Sequence, residues 1–340
     1  MSHITGAPLR VGIVGAGQVT VGSHLPVLLA MADVQIAWVC DRSIDAARKV
    51  AQLAGGVPAI TDVASVPACD VALVATPVGT RRAIVPALLQ RGVHLLCEKP
   101  FALDAAEHEE YLALANKAGV QLCVGQLRRY AAATATARRI VRDGAFGPPI
   151  GVGAAEGMIV RGTGRSGDWH MTDPAMGGGV LWETGSHLVD QLVYVLDASD
   201  VTVESCRQVR RRGIELASSV TATVRTAAGR SIPTVVELSS LDDLCNGLFI
   251  EFERCVLKVG FFFGEPLALV GRDGRPLAEL VADEGVQDPS QAFHLEWMEF
   301  VAQVRTGVPS RLDAASVRCT TALIASAYAI AARDHGERAA

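Results

Sequence analysis

Hydrophobic and polar positions follow two regimes along the chain. From Leu9 to Gln126, short runs that are apolar at nearly every position alternate with longer stretches whose apolar residues recur at helical spacing. The runs are Arg10–Val14, Gln35–Cys40, Val57–Ile60, Val71–Thr76, His94–Cys97 and Gln121–Val124. Runs without alternation suit strands covered on both faces, so this part of the chain predicts a doubly wound parallel sheet. Between the last two runs, Asp104 and Glu107 stand at capping-box spacing. Tyr111, Leu112 and Ala115 keep the helical period, and Gly119 supplies the stop. After Gly147-Pro148-Pro149 the pattern turns to alternation, in Thr202–Val209, Ser219–Thr226, Thr234–Leu238 and Leu248–Phe252. This predicts an antiparallel sheet with one covered face. Ala292–Arg305 and the alanine-rich Ala314–Arg333 have helical composition.

Composition bounds the function. A chain of 340 residues exceeds the usual length of one domain, about 150, so two domains are expected. With 50% hydrophobic and 20% charged residues it is expected to be compact and soluble. The net charge of -5, from 31 Lys and Arg against 36 Asp and Glu, offers no positive field for nucleic acid or an anionic membrane. The uncharged run Val11 to Ala32 is long enough to span a bilayer. Its Gly12, Gly15, Gly17, Gln18, Gly22, His24 and Pro26 argue against both a membrane helix and a signal peptide, so a cytoplasmic protein is expected. Eight cysteines without a C-x-x-C pair read as buried thiols in a reducing compartment.

Three segments carry chemistry. Gly15-Ala16-Gly17-Gln18-Val19-Thr20 follows the first strand and precedes a helical pattern, the context in which a glycine turn lets backbone approach a pyrophosphate. The third glycine position holds Thr20. Asp41 ends the second strand, where a carboxylate accepts the ribose hydroxyls of NAD and repels a 2′-phosphate; Arg42 beside it keeps NADP open. The expected first domain is therefore a Rossmann dinucleotide-binding domain. Glu98-Lys99-Pro100 closes the fifth strand at the sheet edge where ligands bind, and a partly desolvated lysine there can hold a developing alkoxide. In the segment Gly177-Gly178-Gly179 to Asp190, Glu183 and His187 lie one helical turn apart with Asp190 three further on, so all three can share a face. A carboxylate beside a histidine sets its tautomer and raises its basicity. Zinc is the other reading of such a cluster, but no second histidine has ligand spacing, and no metal is expected.

The nucleotide turn, Ala75-Thr76-Pro77, Glu98-Lys99-Pro100, Gly125-Gln126-Leu127-Arg128-Arg129-Tyr130 and the segment from Gly177 to Asp190 occur in this order. Together they resemble the Gfo/Idh/MocA family of oxidoreductases over essentially the whole chain. The resemblance implies an α/β fold: a Rossmann domain over residues 1–127, then an α/β domain over residues 128–340. The second domain would have a large open, mainly antiparallel sheet for substrate binding and oligomerisation, with the C-terminal helix packing back toward the first. It also implies hydride transfer between NAD(P) and a ring carbon of a sugar or cyclitol, in a homodimer or homotetramer. By position, Lys99 and His187 match the family's catalytic pair. Glu183 stands where the family usually has Asp, and either orients His187 or contacts substrate. Cofactor contacts are expected from Gly15, Gly17, Gln18, Val19, Asp41, Arg42, Thr76, Pro77, Glu98 and Lys99. Substrate contacts are expected from Arg129, Trp169, His170 and Asp173, although an ion pair anchoring the domain would equally explain Arg129, and a core position Trp169. Arg81 replaces a frequent His, and Leu127 a frequent polar residue.

The expected activity is thus an NAD-dependent oxidoreductase interconverting a secondary alcohol and a ketone on a sugar, amino sugar or cyclitol. His187 acts as general base, Lys99 as alkoxide stabiliser and Glu183 as orienter, and the first two are able to exchange roles. An NAD(P)H-dependent ketoreductase, a redox-neutral hydrolase using NAD transiently and a non-catalytic NAD-binding regulator are the rivals. The segment holding Glu156, Asp168, Asp173, Glu183 and Asp190 against only Arg161 and Arg165 is net acidic. If these carboxylates face the pocket they favour an ammonium-bearing substrate; if they are solvated or paired they say nothing about it. The apolar face of the second sheet, ending in Phe261-Phe262-Phe263, predicts a homo-oligomer.

Overall fold

The computed structural model describes residues 6–159, 173–282 and 284–337. They form two compact units. The first comprises Met1–Gln126 with Phe293–Ser316, and the second comprises Leu127–Ala292 with Val317–Ala340.

In the first unit, β1 (Leu9–Val14), β2 (Val34–Cys40), β3 (Ala59–Ile60), β4 (Val71–Val74), β5 (His94–Glu98) and β6 (Leu122–Gly125) form one sheet. Its order is β3-β2-β1-β4-β5-β6 and every pairing is parallel. The strands are joined through α1 (Leu25–Ala30), α2 (Ile44–Leu53), α3 (Arg81–Leu89) and α4 (Ala105–Ala118). This is the doubly wound topology, and the order reverses between β1 and β4, where ligands of such sheets bind. The uninterrupted apolar runs are explained by burial on both faces: Val71, Ala72, Leu73 and Val74 have no exposed surface. Helix α4 starts and stops as its sequence dictates. The Asp104 carboxylate accepts the Glu107 N–H at 2.7 Å, Glu107 reaches back to the Leu103 N–H at 3.0 Å, and Gly119 closes the helix at φ +68°.

The second unit is built on an eight-stranded sheet of β7 (Gly151–Gly157), β8 (Ala198–Arg211), β9 (Ile214–Thr226), β10 (Ser231–Ser239), β11 (Gly247–Glu251), β12 (Cys255–Val259), β13 (Leu267–Gly271) and β14 (Pro276–Leu280). The order is β14-β13-β12-β11-β7-β10-β9-β8, antiparallel except where β10 meets β7. It is the open, mainly antiparallel sheet expected. Contacts to the sheet come from α5 (Ala132–Arg142), α6 (Val180–Glu183), α7 (Gly185–Val195) and α9 (Arg318–Glu337), the last helix in the chain. Alternation decides what they cover. Val220, Ala222, Val224, Val236 and Leu238 are buried, while Val209 and Val235 on the alternate positions are exposed. Of the phenylalanine run, Phe261 is in the core and Phe262 is 51% exposed.

One boundary differs from the sequence expectation. Residues Phe293–Ser316, expected in the second domain, belong to the first unit. They include most of α8 (Pro289–Thr306) and are tied in by long-range bonds: the Trp297 indole donates to His24, the Val124 N–H to the Leu312 carbonyl, and His108 bonds the Ala314 carbonyl. Helix α9 packs on β8 and α7 of the second unit. By length and composition Ala314–Arg333 could cross a membrane, yet 44% of it is buried in the fold. The cysteines also depart from a uniformly buried set, for Cys245 is exposed and Cys69 and Cys319 are half-buried, all eight as free thiols.

One core residue carries a testable cost. Glu296 on α8 is fully buried, and neither carboxylate oxygen has a hydrogen-bond partner. Burial, and then the neighbouring Glu98, push its carboxyl well above the usual range, so it is held protonated. A carboxyl raised in the folded state stabilises fully below the unfolded value of about 4.3, and that contribution is lost as pH rises toward the folded value. Glu296→Gln removes this loss. Thermal melts are therefore expected to match the parent near pH 4 and to exceed it at pH 8, by about 2–4 °C for each kcal/mol recovered. Equal melting shifts at both pH values would show that Glu296 does not titrate on folding.

Candidate active site

In the first unit the chemistry-bearing residues follow β1, β2, β4 and β5, and so gather at the carboxyl edge of the parallel sheet. Gly15 turns at φ +103°, and a Cβ there would lie 2.5 Å from the Ala75 carbonyl oxygen, so the chain after β1 touches the chain after β4. Thr20 explains its departure from glycine: it is buried, and its hydroxyl donates to the Gly15 carbonyl at 2.7 Å. Asp41 bridges the turn to β2, accepting the Ala16 N–H and the Ser43 N–H, each at 2.8 Å. Each carboxylate oxygen keeps a second lone pair for a hydroxyl donor. Gly17 and Gln18 are exposed, Val19 is half-buried, and a Cβ on Gly17 would meet nothing within 4 Å. An open glycine turn beside a hydrogen-bonded carboxylate fits a dinucleotide. Arg42 is exposed.

Thr76 and Pro77 are half-buried after β4. Arg81, which replaces a frequent His of the family, is a structural clamp. It is buried and donates to the Thr76 carbonyl at 3.1 and 2.7 Å and to the carbonyls of Glu98 and Pro100. The turns after β4 and β5 are thereby held together. Glu98 accepts the Lys99 N–H on Oε2 at 3.0 Å and bonds His24 through Oε1 at 2.9 Å. Burial opposes ionisation of Glu98, but the His24 bond and the Lys99 and Arg81 cations outweigh it and hold its carboxyl below the usual range. Lys99 itself is half-buried.

In the second unit, Glu183 ends α6 and His187 lies in the first turn of α7, both half-buried. The helix is interrupted at Thr184, whose carbonyl accepts the His187 N–H at 3.1 Å. Gly185 is pressed against Leu238, 2.7 Å from where its Cβ would sit. The start of α6 is capped from far along the chain. Glu215 on β9 accepts the Leu181 N–H at 3.0 Å and the Tyr328 hydroxyl, and Tyr328 stacks on Trp182 with centroids 5.7 Å apart. Gly179 is held at φ +122°, a conformation that strains any L side chain, and a Cβ there would also meet the Glu215 carboxylate. Sequence reasoning missed Glu215 and Tyr328; the one available signal was Glu215 between Ile214 and Leu216 at the start of β9.

The acidic segment resolves into pairs. Asp190 is buried and forked by Arg129, Nε to Oδ2 at 2.7 Å and NH2 to Oδ1 at 2.6 Å, and it also accepts the Thr320 hydroxyl at 3.0 Å. Arg129 is therefore in an ion pair, the alternative to substrate contact, and Asp190 is committed to Arg129 and Thr320. Glu156 is gripped by Arg128 at 2.7 and 2.9 Å. Asp173 accepts the Ala175 N–H at 3.0 Å in a local turn. Asp168, Trp169 and His170 lie outside the described residues. Among the described residues no group of three or more His, Cys, Asp or Glu is placed to hold a metal ion.

Known proteins agree with this architecture. Residues 9–126 match the family model described as "Oxidoreductase family, NAD-binding Rossmann fold", and residues 134–240 match the GFO/IDH/MocA C-terminal domain. The chain belongs to the Gfo/Idh/MocA oxidoreductase family. It is similar to a proposed UDP-kanosamine synthase oxidoreductase subunit of Amycolatopsis mediterranei, 32% identical over 199 residues, covering 57% of this chain and 53% of that protein. It is also similar to D-glucoside 3-dehydrogenase of Escherichia coli, 31% identical over 199 residues, covering 57% and 56%. The chain thus spans about half the length of these curated relatives. Among solved structures, KijD10, a 3-ketoreductase from Actinomadura kijaniata in complex with NADP and TDP-benzene, superposes with a TM-score of 0.79. That match covers 95% of this chain and 98% of the other at 18% identity, a likeness of fold.

Proposed function

We propose that the protein is an NAD-dependent oxidoreductase that interconverts a secondary alcohol and a ketone on a sugar, amino sugar or cyclitol. The observation that carries this reading is the carboxyl edge of the first sheet. A glycine turn open over Gly17, the Asp41 carboxylate and Lys99 all follow its strands there. Gly15, Gly17, Gln18, Val19, Thr76 and Pro77 would hold the dinucleotide, with Asp41 on the ribose hydroxyls. NAD, when bound, supplies the hydride acceptor. The side chains supply the rest: His187 takes the hydroxyl proton, Lys99 steadies the oxygen as negative charge develops on it, and Glu183 orients the imidazole. The same groups serve ketone reduction, so a ketoreductase drawing on NAD(P)H shares this assignment. The names of the curated relatives support a sugar or amino-sugar substrate. Glu156 and Asp190 are paired with Arg128 and Arg129, so an ammonium preference does not rest on those two carboxylates.

The direct test mixes the protein with NAD or NADP and a panel of polyols, sugars, amino sugars and sugar phosphates while reduced-nicotinamide absorbance is followed. Lys99→Ala and His187→Ala are each expected to lower turnover by about two to four orders of magnitude with little change in NAD affinity. Near-parental turnover in either variant defeats the assignment. Asp41→Ser is expected to weaken NAD binding and to relax discrimination against NADP; an unchanged preference would remove Asp41 as the ribose ligand. We also infer a homodimer or homotetramer, because Val209, Val235 and Phe262 leave apolar surface exposed on the second unit. Sedimentation at micromolar protein is expected to give a multiple of the 35.7 kDa chain mass, and a monomer mass would refute it.

A further inference from the structure

We propose that His24 and Trp297 are positioning residues for Lys99, acting through the Glu98 carboxylate. The proposal rests on the reading of Lys99 as the reacting lysine. All four residues lie in the first unit. The Trp297 indole N–H points at His24 Nδ1 at 3.0 Å, and His24 Nε2 lies 2.9 Å from Glu98 Oε1. Indole can only donate, so Nδ1 must be the unprotonated acceptor and the ring proton must sit on Nε2, donating to Glu98. A doubly protonated ring would set two donors against each other. The contact is therefore a neutral imidazole on a carboxylate, although its distance would also suit an ion pair.

Burial makes the arrangement rigid. His24 and Trp297 have no exposed surface, and the edges of Phe293 and Trp297 close on the imidazole at centroid distances of 5.0 and 6.1 Å. Glu98 then has one oxygen committed to His24 and the other to the Lys99 backbone N–H. This sets where the chain leaves β5, and it keeps a negative charge behind Lys99. The groups facing Glu98 are His24, the Lys99 and Arg81 cations, and Glu296 from the same helix as Trp297. Glu296 is held neutral, so the two carboxyls carry one charge, and the His24 N–H directs it to Glu98.

Two substitutions separate this role from simple packing, because a Gln amide nitrogen overlays Nε2 of histidine and an Asn side chain overlays only its Nδ1 side. In the full-length protein without substrate, the reactivity of Lys99 toward acetic anhydride is followed by mass spectrometry across pH. His24→Gln keeps a donor on Glu98 and is expected to leave the Lys99 midpoint in place. His24→Asn leaves Glu98 buried without that donor, so it takes up a proton more readily. The Lys99 labelling profile across pH is then expected to depart from the parent's, because the charge behind the lysine changes. Trp297→Phe removes the donor on Nδ1, and the nitrogen NMR shifts of the His24 ring are then expected to leave the single Nε2–H pattern expected of the parent. Turnover should fall in His24→Asn more than in His24→Gln, with the KM for NAD unchanged. Equal Lys99 labelling profiles in the two His24 variants, or a parent His24 carrying its proton on Nδ1, would overturn the proposal. If the His24 variants fail to fold, the Trp297→Phe comparison decides in the same way. Labelling needs no turnover, so a parent protein without dehydrogenase activity would sink the functional reading and leave this result legible.

Discussion

A guanidinium removed from water must find its hydrogen-bond acceptors inside the protein, and each unit is organised around one that does. Losing one partner of a buried pair costs about 3–5 kcal/mol. In the first unit, Arg81 satisfies its donors on the carbonyls of Thr76, Glu98 and Pro100. Those carbonyls belong to the turns after β4 and β5, so the distance between the two turns is set by the span of one planar group. In the second unit, Arg129 forks on Asp190, three residues beyond His187 on the same helix. The helix bearing the proposed base is thus anchored by charge to the segment with which the unit begins.

Much of the first unit was legible because its signals are local. Uninterrupted apolar runs report burial on both faces, and Asp104, Glu107 and Gly119 state the ends of α4 within a few residues of each other. The glycine turn, Asp41 and the Glu98-Lys99-Pro100 corner were read at positions that share one sheet edge. The rest depends on partners far apart in sequence, and periodicity reports burial without naming the neighbour. The partners of Glu156 and Asp190 could not be named from the sequence because Arg128 and Arg129 precede them by 28 and 61 positions. The return of α8 to the first unit rests on the bond of Trp297 to a histidine 273 positions earlier. Strand β7, with the sequence Gly-Val-Gly-Ala-Ala-Glu-Gly, has almost none of the branched or aromatic residues that mark a strand, although it sits in the middle of its sheet.

The carboxyl edge and the glycine-rich segment show two ways of arranging a proposed reactive side chain. Lys99 is governed from behind by backbone and carboxylate contacts, so its environment can be altered without touching it. Glu183 and His187 are governed from the helix start, where Glu215 supplies the cap that Gly179 cannot.

The overlap between the Glu215 carboxylate and the space beside Gly179 also constrains how the chain can change over evolutionary time. A side chain gained at position 179 meets that carboxylate and is also strained by the backbone at φ +122°, so shortening position 215 makes room without removing the strain, and it uncaps the helix start. Each single step is disfavoured and the double change keeps the strain, so glycine at 179 and glutamate at 215 are expected to be retained together. Variation at one is expected to be informative about the other, although they lie 36 residues apart.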